Sequence, residues 1–168
     1  WRNDDPDSLV RGHIAIVGMG SASDELEIAA KQAADRAGVV LNQHQSYCEA
    51  DAADADARWG RHPLVHLEEI GVLGPNAMFA HMNILRDDEV DPIVRSGMAI
   101  SWNARASMMW GVGGATQGRH AELYRAGVTV GLGSDSSNWA NSFDIGRAAV
   151  TAILAARDGR KDRSILVA

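Results

Sequence analysis

Three side chains able to bind a metal ion or move a proton share one placement in this sequence. His44 closes the apolar run Val39–His44, His81 closes Ala77–His81, and Asp135 follows Val128–Ser134. They are 37 and 54 positions apart. If the runs are parallel strands of an α/β fold, their C-terminal ends share one face, the face where ligands bind. Two imidazoles and a carboxylate form a plausible first shell for Zn²⁺ or Fe²⁺. An ion so held brings the pKa of bound water toward about 7, and a nearby carboxylate can then shuttle the proton. The same residues have plainer readings: a strand-end histidine can tie down a loop, and the aspartate can cap a turn.

The remaining histidines carry less. His62 and His66 are spaced four apart on one helix, but the glutamate of a HExxH protease is absent, and they read as packing or solvated residues. His13 opens a strand, at the far end from the proposed site. His120 follows a glycine-rich stretch and could reach the site's mouth. Cys48, four residues beyond His44, lacks the surroundings of a nucleophile. The glycine-rich stretch from Trp110 to Gly114 has no phosphate-binding pattern and reads as a flexible active-site loop. Met108, Met109, Trp110 and Trp139 are expected in strand-end loops, where they could line an apolar or aromatic substrate pocket.

The elements that must position these groups are legible as alternation. Apolar runs begin at residues 13, 39, 77, 98 and 128, and helical patterns fill the gaps. Residues 24–37 place Leu26, Ala29, Ala30, Ala33 and Ala37 at helical spacing, with Ser21 as the expected N-cap and Gly38 as the C-cap. Further helices are expected over 54–70 (broken at Pro63), 87–96, 117–126 and 144–157. Strand–helix repetition gives a parallel sheet, either an open doubly wound sheet or part of a (βα)8 barrel of about 250 residues.

Composition sets the outer limits. The 168 residues include 22 acids and 16 bases, for a net charge of −6. With 46% apolar and 23% charged residues this is a globular balance. No basic block suggests nucleic acid, and no apolar run of about 18 residues suggests a membrane span. A lone cysteine fits a reducing, cytoplasmic setting. The first residue is Trp1, so the sequence is expected to begin inside a longer protein.

Three stretches together are specific. Gly60–His81 and Ala126–Asn138 resemble segments of the amidohydrolase superfamily, in the branch of cytosine deaminases and triazine hydrolases, and Ala99–Ser107 resembles the intervening strand and loop. The resemblance implies an α/β fold, a partial (βα)8 TIM barrel of strands four to eight in one domain over 1–168. It implies His44 as the fifth-strand metal ligand, His81 as a metal ligand or orienting group, and Asp135 as the last-strand aspartate that contacts the metal or its water and accepts a proton. It also implies a divalent metal, zinc first and iron second, and hydrolysis of a non-peptide C–N bond in a small molecule. Tyr47 stands where the branch places a general-acid glutamate, and Glu49, two residues on, is the alternative proton shuttle. Tyr47, Trp110, Asn138 and Trp139 are the expected substrate contacts. No His-x-His pair is present, Ser136 replaces a glycine, and Ala104 stands near a customary proline. Five strands cannot close a barrel, so a homo-oligomer or a missing N-terminal half of the same protein is the expected partner. An inactive truncated relative that binds a ligand or partner is the alternative.

Overall fold

A computed structural model describes residues 5, 7–136 and 142–166. Five strands, β1 (Ile14–Gly18), β2 (Leu41–Gln45), β3 (Ala77–His81), β4 (Ala99–Trp102) and β5 (Thr129–Leu132), form one parallel sheet in the order β1-β2-β3-β4-β5. Every connection carries helix, as parallel neighbours require. The helices are α1 (Asp24–Ala37), α2 (Glu49–Trp59), α3 (Pro63–Glu69), α4 (Asp87–Ser96), α5 (Ala104–Trp110), α6 (Gly114–Gln117), α7 (His120–Arg125) and α8 (Ile145–Arg160).

Strand alternation decides which side chains reach the core. Leu41, Phe79 and Ile100 point to the helix-covered face and meet Ala30, Ala34, Leu64, Leu67, Ile93 and Leu123 there. Their neighbours Asn42, His44, Met78, Ala80 and Ser101 lie on the other face, which is only partly covered, and His44 is exposed. In a closed barrel that face would point at the axis.

Local chemistry explains the helix ends. Ser23, rather than the expected Ser21, caps α1 by accepting the Leu26 N–H at 3.3 Å. Ser21 Oγ instead donates to the Gly18 carbonyl at 2.6 Å. The buried face of α1 is Glu27, Ala30 and Ala34, while Leu26 is exposed. The helix predicted over 54–70 is two helices, because Gly60 ends α2 in the left-handed region (φ 67°) and Pro63 opens α3. Glu89 of α4 locks this corner: its buried carboxylate accepts from the Leu64 N–H at 2.9 Å and the Arg86 N–H at 2.8 Å. Helices α5 and α6 replace the expected loop. Gly111 is the C-cap of α5 and Gly114 the first residue of α6, so the glycines punctuate two short helices. Met108, Met109 and Trp110 therefore ride on α5, not in a strand-end loop. Among the described residues no helix is long and apolar enough to cross a membrane.

Candidate active site

The parallel sheet brings the C-terminal ends of β2, β3 and β5 to one rim. Register pairs Gln45 with His81 and His44 with Ala80. By alternation alone His44 and His81 would then face opposite sides of the sheet. The backbone resolves this at His81, whose φ of 74° turns the strand end. The His44 and His81 rings stack with centroids 5.2 Å apart and planes at 16°. Asp135 enters from the segment after β5, also in the left-handed region (φ 57°), and its Oδ2 lies 4.0 Å from His81 Nδ1. Ser46 and Met82, at φ 50° and 54°, complete a group of non-glycine residues held in a sparsely populated conformation on this rim. Such strain persists only where surrounding contacts impose it, and it collects at functional sites.

His44 is held at Nδ1, 3.1 Å from the Val17 carbonyl of β1. A carbonyl can only accept, so Nδ1 carries a proton and Nε2 is the ring nitrogen left for a metal. His81 is 4% exposed, and burial pushes its pKa down to about 4, against a smaller opposing pull from Asp135. Its imidazole is therefore neutral near pH 7, the form that binds metal. The Tyr47 ring meets His81 edge-on at 4.8 Å. Partial burial, and then the charge of Asp135, hold its phenol above the ordinary value. Tyr47 thus stays protonated near neutrality and can donate a hydrogen bond there.

The donor set suits zinc in kind: two nitrogens and a carboxylate. The 4.0 Å between His81 Nδ1 and Asp135 Oδ2 is wider than the roughly 3.4 Å that separates two donors each about 2.1 Å from one tetrahedral ion. A closed cage is not preformed, since among the described residues no group of three His, Cys, Asp or Glu is gathered tightly enough to hold an ion.

The structure thus brings His44, Tyr47, His81 and Asp135 together. Glu49 stands apart at the start of α2, where its carboxylate faces Arg86 at 3.6 Å. Trp110 is half exposed at the end of α5. Asn138 and Trp139 lie outside the described residues. His62 pairs with Asp88, and His66 bonds Asp24 at 3.0 Å while stacking on Trp59, so both are structural, as expected.

Two asparagines escaped sequence reasoning. Asn103 Nδ2 lies 3.5 Å from His81 Nδ1, and Asn83, fully buried, donates to the Tyr47 carbonyl at 3.0 Å. The available signal was positional: each stands one or two residues past the C-terminal end of a strand. His120 does not reach the open mouth. It lies buried behind His81, with Nε2 2.7 Å from the His81 carbonyl.

No protein-family model matches this sequence. It is 29% identical over 148 residues to a 5'-deoxyadenosine deaminase of Methanothermobacter thermautotrophicus, covering 88% of this chain and 34% of that protein. It is 30% identical over 125 residues to a 5-methylthioadenosine/S-adenosylhomocysteine deaminase of Desulfitobacterium hafniense, covering 74% and 28% respectively. Among solved structures, an adenosine deaminase from Xanthomonas campestris with bound zinc superposes with a TM-score of 0.89 at 22% identity, over 98% of this chain and 36% of that one. A triazine hydrolase variant gives a TM-score of 0.85 at 25% identity, over 96% and 34%. The chain spans about a third of the length of these proteins. Over the part that it spans, the chain is thus a homologue of deaminases of the amidohydrolase superfamily, and it folds as five consecutive strand–helix units of a partial (βα)8 barrel.

Proposed function

We propose that the protein is a metal-dependent aminohydrolase that cleaves a non-peptide C–N bond in a small nitrogen heterocycle. The observation that carries this is the meeting of His44, His81 and Asp135 on one strand-end rim, 5.2 Å between ring centroids and 4.0 Å from imidazole to carboxylate. Relatives named as deaminases and zinc-bound structural neighbours support it.

His44 and His81 would hold the ion through neutral imidazoles, with Asp135 beside them. A bound zinc ion supplies hydroxide near neutral pH. Asp135 is placed to take the proton that the attacking water gives up and to return it to the departing nitrogen, which leaves as ammonia. Asn103 limits the swing of the His81 ring. Tyr47 closes one side of the site and offers a phenol O–H to a heteroatom of the substrate, while Glu49, turned toward Arg86, is the less favoured shuttle.

The test is direct. The natural protein is loaded with zinc, its metal content is measured, and ammonia release is followed over a panel of amino-substituted purines, pyrimidines and triazines. Zinc uptake with release from at least one class, lost in H81N and D135N, is expected. No bound metal and no ammonia across the panel would overturn the proposal.

A further inference from the structure

His120 sits where an apolar residue would be cheaper to bury. It opens α7, is 3% exposed, and stacks on Trp102 with ring centroids 4.4 Å apart and planes at 7°. Its polar edge has one conspicuous use: Nε2 lies 2.7 Å from the carbonyl oxygen of His81. A carbonyl oxygen only accepts, so Nε2–H donates. The peptide it holds is an unusual one. Pairing of β3 with β4 ends at Ala80, and the next residue, His81, keeps its register with Gln45 of β2 but sits in the left-handed region at φ 74°. A conformation of that kind costs on the order of 1–3 kcal/mol and needs contacts that enforce it.

The surroundings are shaped to let His120 do so. A Cβ on Gly118 would fall 2.3 Å from His120 Cε1 and 2.6 Å from Nδ1, so only glycine leaves the ring its place. Trp102, at the end of β4, fixes the plane of the imidazole from its face. Strand β4 and the α6–α7 corner thereby converge on one backbone oxygen, the one belonging to the rim histidine.

We infer that His120 is a positioning residue: its hydrogen bond to the His81 carbonyl holds the turned backbone that aims the His81 ring at Asp135 and His44. His120 itself touches no substrate. The inference rests on the proposed metal-dependent reading for its functional consequence, while the positioning can be read without metal. Groups that support metal ligands from behind typically change metal affinity or activity by about 10–100-fold when removed.

The experiment uses the natural protein and two variants. H120F keeps a flat ring against Trp102 and removes the donor, whereas H120Q restores an N–H donor. Histidine ring ¹⁵N signals are recorded on the metal-free protein, zinc affinity is measured by competition with a chelating dye, and kcat and KM are separated. In H120F the His81 ring signals are expected to shift, zinc affinity to fall about 10–100-fold, and kcat to fall more than KM changes. H120Q is expected to recover most of each. If H120F does not fold, G118A serves in its place, because it keeps every donor and displaces the ring; its His81 signals should move while those of H120Q do not. Unmoved His81 signals in a folded H120F or G118A, or losses in H120Q equal to those in H120F, overturn the inference. A wild-type protein that takes up no zinc refutes the proposed function instead, and the metal-free His81 spectra still decide the positioning role.

Discussion

Replacing Glu27 by glutamine should make the protein more tolerant of alkaline pH. Glu27 lies on the inner face of α1, 5% exposed, against β2 at the level of Gln43. Among the described residues, its Oε2 and both polar atoms of the Gln43 side chain have no hydrogen-bond partner. Burial raises the Glu27 pKa to about 7 from an ordinary 4.5; the nearby Gln43 amide and Arg58 oppose the rise, and Asp24 adds to it. The folded state therefore holds this proton more tightly than the unfolded state does. The associated stability is complete below about pH 4.5 and is lost as pH climbs through about 7. At about 1.4 kcal/mol per pKa unit, the full swing is on the order of 3 kcal/mol. Glutamine has no proton to lose, so the E27Q protein escapes the swing. Urea unfolding of both proteins across the range from about pH 4.5 to about pH 8 should show the stability of E27Q rising relative to wild type by about 2–3 kcal/mol, nearly all of it between those limits. A difference that stays flat to about 0.5 kcal/mol, or that grows toward acid, would refute the reasoning.

The site and the core offer three more tests. D135N keeps the shape of the rim and removes its negative charge, so ammonia release should fall by about 10²–10⁴-fold with little loss of thermal stability. A Cβ at Gly133 would meet Asn103 Oδ1 at 1.9 Å and Ser101 Oγ at 2.8 Å. G133A should therefore displace Asn103 from His81 and cost about 1–3 kcal/mol in urea unfolding, with the His81 ring ¹⁵N signals shifted as well. Phe79 is fully buried in the middle of β3, and F79A should cost about 3–5 kcal/mol; a loss below about 1 kcal/mol would mean that the helix-covered face is not the core.

The opening and closing of the sheet have a physical consequence for this stretch of chain. Strands β1 and β5 are both terminal in the sheet order, and Val17, Val150 and Leu154 are more than half exposed. Parallel strands of this kind are stable when both faces are covered, and among the described residues the face opposite the helices is only partly covered.

Much of this protein was legible in its residues. Apolar runs of five to seven residues, separated by capped helical patterns, specify a parallel α/β arrangement, because burial and hydrogen-bond satisfaction leave few other ways to pack them. Gly38 ended α1 in the left-handed region as expected, whereas Gly60 and Gly97 end their helices the same way without having been read as caps. The likeness in Gly60–His81 and Ala126–Asn138 pointed to the superfamily before any coordinate did. Reading failed where local preference and tertiary packing disagree. Glycines at 111, 113 and 114 signal a loop, yet they bracket short helices that pack on α8. Leu26 looks like a core residue and Glu27 does not, but α1 turns Glu27 inward with Ala30 and Ala34 and leaves Leu26 exposed. The candidate site shows the same division. That His44, His81 and Asp135 lie at or just past the C-terminal ends of strands is legible in the sequence, since it follows from counting along apolar runs. That the two imidazoles face each other is not, because a period-two strand sends neighbouring register positions to opposite faces, and only the turned backbone at His81 undoes this. That turn depends on a carbonyl held from α7 and on room left by Gly118, contacts between segments about 40 residues apart that no local pattern encodes.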